Sequence, residues 1–340
     1  MDVSVAMATY NGERFILEQL ESLAAQTLLP RELVVGDDGS TDRTLEIIDQ
    51  FAARAPFHVR VQRNPTRYRI ANNFLHSAQR CEGEWIAYCD QDDVWLPHKL
   101  ERLAELIMPD PEIVWCAHRA TIIDENSNVL GEHNEPLEDR LSILPPLRRV
   151  LWRTPFGFTQ MFHRSLVRDF PIETRPKTEH DTWVFWLANV VGSTAFVPDR
   201  LALYRRHQSN VSQFTHDPDL TTQLADAAKH ESYEAASRRV NDFSKYLSAQ
   251  TGRLTDSVRQ RVETGAKVYA RLARHLEKRA VIWNPRHPFA ARLGSWTRLA
   301  ASGGYGATQS GGVGLKSGGK DLARLAWSVP GKARENGTAS

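Results

Sequence analysis

Four short apolar runs alternate with segments of helical length over residues 3–88, and this rhythm restricts the fold more than any other property of the chain. Val3-Ser4-Val5-Ala6-Met7-Ala8 is the first run; it stops at the turn signal Thr9-Tyr10-Asn11-Gly12. Phe15, Ile16, Leu20, Leu23 and Ala24 then recur at helical spacing, and Pro30 closes the segment. Glu32-Leu33-Val34-Val35-Gly36 reads as a second strand ending at Asp37-Asp38-Gly39-Ser40-Thr41-Asp42, and the helix after it carries Leu45, Ile47, Ile48 and Phe51. Val59-Arg60-Val61-Gln62 is a third, thinner strand. A polar loop from Asn64 through Arg69 and a helix over about 71–80 lead to a fourth strand, Trp85-Ile86-Ala87-Tyr88. Alternation of this kind predicts an α/β fold: a mostly parallel, Rossmann-like sheet with helices on both faces.

In such sheets ligands bind outside the carboxyl ends of the strands. Three of these ends carry unusual chemistry: Thr9-Tyr10-Asn11, Asp37-Asp38 and Cys89-Asp90-Gln91-Asp92-Asp93. Three carboxylates within four residues repel one another, and a divalent cation would remove that repulsion. Alternation along an extended strand end puts Asp90 and Asp92 on one side and Asp93 on the other. Two carboxylates that leave coordination positions open suit Mg²⁺ or Mn²⁺, with substrate phosphates completing the shell. The plainer alternative is an acidic turn that caps the helix after Pro97. Asp37-Asp38-Gly39-Ser40 likewise has a plain reading as a turn and helix cap. It is the convergence of all three ends on one crevice that favours a site. No Gly-rich dinucleotide fingerprint follows the first strand, and no phosphate-cradling Gly-Lys-Ser/Thr loop occurs. A Rossmann dehydrogenase and a P-loop NTPase are therefore disfavoured.

Farther along, a helix from His98 to Ile107 precedes strands at Ile113–Ala117 and Ala120–Asp124. A long polar loop is expected over 125–146. Phe156–Phe162 reads as a strand, and Asp181–Leu187 as an apolar helix with Asp181 in its first turn. Thr194–Val197 and Leu201–Arg205 read as two more strands. From about Asp219 to Ile282 the pattern is helical, and residues 301–319 are rich in Gly and Ser. The expected organisation is a catalytic domain over 1–215, a basic helical region over 216–300 and a flexible tail over 301–340, in which only Asp321–Trp327 is amphipathic.

The motifs VSVAMATYN (3–11), DDGSTD (37–42) and DQDDVW (90–95) together resemble the family 2 inverting glycosyltransferases of GT-A fold. The likeness is to the bacterial rhamnosyltransferase-like branch. It extends to the pair His180-Asp181 and the run Tyr204-Arg205-Arg206-His207-Gln208-Ser209-Asn210, covering about residues 3–212. The resemblance implies nucleotide contacts from Ala8, Thr9, Tyr10, Asp38 and Asp90, with Arg69 a further candidate near the base or ribose. It implies a metal on Asp92, with His207 beside it and the diphosphate, and Asp181 as the catalytic base. Trp95, His180 and Arg205 are candidates for acceptor contact or support; Trp95 either stacks on a sugar or packs its loop. Two departures matter. The Q-x-x-R-W motif of processive members is absent, and His180 stands where many members have Glu.

The implied reaction is transfer of a single sugar, L-rhamnose from dTDP-rhamnose or a hexose from a UDP-sugar, to a hydroxyl of a cell-surface glycan or lipid-linked acceptor. A divalent Mg²⁺ or Mn²⁺ would assist. A sugar nucleotidyltransferase and a non-catalytic scaffold are the competing classes. The first is disfavoured by the lack of a Gly-rich first loop, the second by intact carboxylates at every expected position.

Charge and cysteines bound the setting. The net charge of +2 hides an asymmetry of about −9 over residues 1–224 and about +11 over 225–340. The basic helices are either a solvated face or a contact with an anionic membrane surface, with Arg271, Arg274, Lys278 and Arg279 beside Leu272, Leu276, Val281 and Trp283. No nucleic-acid-binding module is recognised. Cys81, Cys89 and Cys116 match no zinc or redox spacing and read as structural thiols in a reducing compartment. The N-terminus enters a strand directly, without a secretory signal, and no window reaches the ~18 apolar residues of a membrane span. Cytoplasm is the expected location, with room for peripheral contact at the inner membrane face.

Overall fold

The computed structural model describes residues 1–132, 140–149, 151, 154–208, 210 and 229–326. Ser209, the start of the expected helix at 219–228, Trp327 and the end beyond it lie outside the described residues, as does 133–139 of the expected long loop. The chain divides into two compact units, 1–212 with 253–261, and 213–252 with 262–340.

The first unit begins β1 (Val3–Thr9), α1 (Ile16–Ala24), β2 (Glu32–Asp37), α2 (Thr44–Ala52), β3 (His58–Arg63), α3 (Arg69–Gln79), β4 (Trp85–Cys89). β1 is buried almost throughout and β2 and β4 throughout, which is why they read as continuous apolar runs rather than alternating ones. β3 is the edge strand, and its Arg60, Gln62 and Arg63 suit that exposed place. The helices present Ile16, Leu20 and Leu23, then Ile48 and Phe51, then Phe74 and Ala78 to the interior. Gly36 lets α3 lie close to the sheet: a Cβ there would stand 2.1 Å from Asn73 Oδ1. Asn73 instead donates to the Gly36 carbonyl at 2.8 Å.

The unit continues β5 (Val94–Trp95), α4 (Lys99–Ile107), β6 (Ile113–Ile123), β7 (Val129–Glu132), β8 (Ser142–Leu144), β9 (Gln160–His163), α5 (Ser165–Arg168), α6 (His180–Val191) and β10 (Ser193–Arg205). The sheet order is β3-β2-β1-β4-β9-β6-β10-β5, with β7 on β6 and β8 on β10. β1, β2, β3 and β4 run parallel, as do β6 and β10; β9 lies antiparallel between the two parallel sets.

Several elements differ from expectation. The two strands expected at 113–117 and 120–124 are one, because His118 and Arg119 stay in the ladder; the His118 side chain is fully buried. Likewise 194–197 and 201–205 are one bent strand, whose register shifts around Arg200 absorb Pro198 and Asp199. The start of the expected strand at 156–162 is instead a 3₁₀ turn over Gly157–Thr159. α3 begins at Arg69, so that residue opens a helix rather than lying in the loop before it. β5 was not foreseen. It is two residues long and pairs with β10 at the end of the sheet.

The second unit contains α7 (Lys229–Gln250), most of α8 (Asp256–Trp283), α9 (Phe289–Ala301) and α10 (Leu315–Ala326). The Gly/Ser-rich stretch expected to be flexible is folded as far as Ala326. Leu325 packs with Ile282 and Leu299. Asp321, fully buried, accepts from Arg279 Nε (2.9 Å) and Nη2 (2.8 Å), Trp283 Nε1 (2.7 Å) and Tyr305 Oη (3.0 Å). That network accounts for the order: an unpaired buried carboxylate would be costly, and all its partners lie within this unit. Among the described residues no helix is long and apolar enough to cross a membrane.

Candidate active site

The parallel register sets three strand ends side by side. Thr9 pairs with Asp37 across β1 and β2, and Met7 with Cys89 across β1 and β4. The chain leaving β4 therefore runs alongside Ala8, Thr9 and Tyr10. Gln91 fastens the two segments: its Oε1 accepts from Tyr10 N (3.0 Å) and its Nε2 donates to Tyr10 O (3.2 Å). Asp37 shapes the second end. One carboxylate oxygen accepts from Thr9 Oγ1 at 3.1 Å, and the other from the N–H groups of Gly39 and Ser40 at 3.0 Å each. Thr9 and Asp37 are buried beneath the crevice floor, and Ala8 is half-buried.

Tyr10 is exposed at the mouth, with the Arg67 guanidinium stacked 3.9 Å from its ring centre. An aromatic face paired with a cation suits a planar heteroaromatic ligand. Asp38 sits alongside; its Oδ1 accepts from Asn64 Nδ2 (2.8 Å) and Tyr68 N (3.0 Å). Neither of those bonds uses Oδ2. Arg69 is exposed and takes the left-handed backbone conformation (φ 60°), unusual for a non-glycine residue.

The acidic turn divides as alternation predicts. Asp90 and Asp92 are half-buried, whereas Asp93 is fully buried. Burial, and then the charges of Asp92 and Asp181, push Asp90 up to about 8. Asp93 is also raised, by burial first, and its Oδ1 accepts from the backbone N–H of Arg205 at 3.0 Å. Arg205 fixes this turn from below. Its Nε donates to Asp92 O (2.9 Å), Nη1 to Ser127 Oγ (2.9 Å) and Nη2 to Glu18 (2.6 Å), and its guanidinium lies 4.9 Å from the centre of the Phe15 ring. Asn210 closes the run, donating to Arg205 O at 3.1 Å and accepting from His207 N. His207 is thereby aimed at Asp92, with Nε2 and Oδ2 2.9 Å apart.

Asp92 and His207 thus bring an oxygen donor and a nitrogen donor to one point, with Asp90 on the same turn. Among the described residues no group of three His, Cys, Asp or Glu side chains closes around a cation. The donor set fits a divalent ion held by few protein ligands and completed by phosphate oxygens.

Asp181 stands in the first turn of α6, half-buried, accepting from Thr182 N at 2.5 Å. Burial pushes it up to about 6, and Glu179 adds to that, while the bonds from Thr182 oppose it. Its charge reaches both Asp90 and Tyr88, so it belongs to the same crevice.

The three residues expected at the acceptor or as its support are all buried. Trp95 is 2% exposed, with Lys99 Nζ 3.4 Å from its ring centre. Arg205 is 1% exposed. His180 is 6% exposed, stacked on Phe74 (4.1 Å) and edge-on to Tyr88 (4.8 Å). Burial, with Arg175 nearby, holds it down at about 3, so it is neutral. Gly157 makes room for this ring, since a Cβ there would come 2.5 Å from Nε2. These three side chains support the site and do not line it. Sequence reasoning passed over Gln91, Arg67, Asn64, Lys99 and Glu18. Gln91 lay inside the acidic motif; Glu18, on a helix face otherwise facing solvent, gave no signal.

The family model Glycosyl transferase family 2 matches residues 4–174. A protein of Mycobacterium tuberculosis named only as uncharacterized is 29% identical over 221 residues, 62% of this chain and 60% of the relative. The chain thus matches less than two thirds of the length of these mycobacterial relatives. An uncharacterized glycosyltransferase of Nostoc sp. is 27% identical over 250 residues, 72% of this chain and 76% of the relative. The dTDP-rhamnosyl transferase RfbG of Shigella flexneri is 32% identical over 106 residues, 30% of this chain and 37% of the relative. Among solved structures, S. aureus TarS 1-349 in complex with UDP-GlcNAc is similar, with a TM-score of 0.55 and 16% identity over 90% of this chain and 93% of that one. At that identity the likeness is one of fold, the GT-A arrangement expected from the motifs. The chain belongs to glycosyl transferase family 2.

Proposed function

Taking the family as premise, we propose that the protein is an inverting glycosyltransferase that moves one sugar from a nucleoside-diphosphate donor to an acceptor hydroxyl, with Asp181 as general base. The observation that carries this reading is the half-buried Asp181 carboxyl, pushed up to about 6 and electrostatically coupled to Asp90. A base of that strength is ionised at neutral pH yet still basic enough to take a proton in the transition state.

The donor's base lies on Tyr10, whose ring Arg67 backs from its other face, and Asp38 lies at the base's edge. Asp90 faces the ribose. Asp92 and His207 would hold a divalent cation, Mg²⁺ or Mn²⁺, which when bound supplies positive charge to the leaving diphosphate. Asp181 removes the acceptor's hydroxyl proton as that oxygen attacks the anomeric carbon. The new C–O bond forms on the face opposite the departing nucleoside diphosphate, so the configuration inverts. A single base suffices, and no protein nucleophile is required.

The stretch of likeness to a dTDP-rhamnosyl transferase supports dTDP-rhamnose as the donor. The fold likeness to a protein solved with UDP-GlcNAc supports a UDP-sugar as the second reading. The acceptor is a hydroxyl of a surface glycan or of its lipid-linked precursor.

The test is sugar transfer from dTDP-rhamnose and a panel of UDP-sugars, with Mn²⁺, Mg²⁺ or EDTA, in wild type and Asp181→Asn. Loss of about 10²–10⁴-fold in kcat with donor binding retained is expected, as is a wild-type kcat/KM that falls tenfold per pH unit below about 6. Full turnover by Asp181→Asn would remove Asp181 as base. Donor-independent inactivity of a folded, metal-loaded wild type would remove the transferase reading.

A further inference from the structure

The helical unit contains a cleft of about 480 Å³ between the middle of α8 and the end of α9. Arg271, Arg274 and Lys278 reach it from one face of α8, at the spacing of successive helical turns. Ser302 and Gly303 close it from beyond α9, and the buried His275 lies at its base.

Three cations converging on a concave surface repel one another, and among the described residues none of them is ion-paired with a carboxylate. The neighbouring Arg279 shows the contrast, being held by Asp321 at 2.8 Å. The cations also keep donors to spare. Arg271 gives one N–H to Ser302 O (3.2 Å), and Lys278 gives one to Ser302 Oγ (3.1 Å). A guanidinium has five such hydrogens and an ammonium three. Both bonds go to the residue that ends α9: Arg271 satisfies a terminal carbonyl there, and Lys278 holds the Ser302 hydroxyl. Arg274 serves no such purpose: it makes no hydrogen bond or ion pair among the described residues. His275 reports the same excess of positive charge. Its Nδ1 donates to Gly311 O at 2.7 Å, and burial, reinforced by Lys278, Arg271 and Arg274, lowers its basicity.

We infer that this cleft binds a phosphate group, gripped by Arg271, Arg274 and Lys278. Two guanidiniums and an ammonium around one concavity match the several acceptor oxygens of a phosphomonoester or diphosphate. The group comes either from the headgroup of an anionic lipid or from a soluble phosphate. The inference does not rest on the transferase reading.

The test uses the full chain with EDTA and no nucleotide. Inorganic pyrophosphate is titrated by calorimetry, and amide hydrogen exchange is followed over residues 299–304. Wild type should bind, with exchange slowed in that segment. Arg274→Glu, at an exposed position, should weaken binding at least tenfold and leave the melting temperature within about 2 °C, as exposed substitutions usually do. Lys278→Gln should weaken it in the same direction. Vesicles of phosphatidic acid in phosphatidylcholine distinguish the sources. Capture that pyrophosphate competes away and Arg274→Glu abolishes supports the site with a lipid headgroup as ligand. Pyrophosphate binding without capture supports it with a soluble phosphate. No slowing at 299–304, or equal affinity in Arg274→Glu, overturns the inference.

Discussion

Asp181→Asn is expected to make the protein more stable while it slows transfer about 10²–10⁴-fold. The carboxyl is pushed up to about 6, from an ordinary 3.8, chiefly because burial at the head of α6 strips water from the ionised form. Between roughly pH 4 and pH 6 the folded protein therefore holds a proton that the unfolded chain has released, and stability falls as pH rises through that window. Above pH 6 the loss is complete. A shift of about two units corresponds to about 3 kcal/mol, and the partial exposure of the side chain reduces this to roughly 1–2 kcal/mol. Asparagine has the same shape, carries no charge at any pH, and keeps an oxygen to accept the Thr182 N–H. In a unit of this size the difference moves the melting temperature by roughly 2–8 °C. The assay is thermal melting of wild type and variant from pH 4 to pH 8, with EDTA and no nucleotide. The two proteins should melt together near pH 4 and diverge up to about pH 6.5, with the variant the higher. A difference that does not change with pH, or a variant less stable at pH 7.5, would refute the claim that Asp181 sits in a destabilising environment of its own.

Arg205→Lys keeps a positive charge but cannot reach Asp92 O, Ser127 Oγ and Glu18 together. Loss of these contacts at a buried side chain should cost about 2–4 kcal/mol, read as a lower denaturation midpoint, and should raise donor KM more than it lowers kcat. An unchanged midpoint would mean that the acidic turn holds itself. Arg67→Ala removes the cation over Tyr10 at an exposed position. A cation–π contact of about 1 kcal/mol predicts a rise in donor KM of roughly five- to tenfold with stability unchanged; an unaltered KM would place the base elsewhere.

The core of the sheet was legible because β1, β2 and β4 are buried on both faces. A short apolar run bounded by turn residues fits little besides a buried strand, and the alternation with helices then dictates which strand ends meet. The same logic exposed Tyr10, Asp38, Asp90 and Asp92, whose place follows from being the next residues after a strand. Where partners are brought together by the tertiary fold, that logic fails. The run Arg205-Arg206-His207-Gln208-Ser209-Asn210 is polar throughout, yet Arg205 is among the most buried side chains of the unit. Its ion-pair partner is Glu18 on α1, 187 residues earlier. The dependence also runs in the other direction. Asp93 points inward, where a carboxylate needs a donor, and the backbone N–H of Arg205 is that donor. The acidic turn and the late run therefore complete one another. Without the run, Asp93 would lack its backbone donor and Asp92 would lose the bond to its carbonyl. Without the turn, Arg205 would be a buried cation that had lost the Asp92 carbonyl as acceptor. His207 reaches Asp92 because this exchange has already fixed both segments. A residue two places from His207, in the middle of what looks like surface sequence, is what sets the geometry of the candidate metal site.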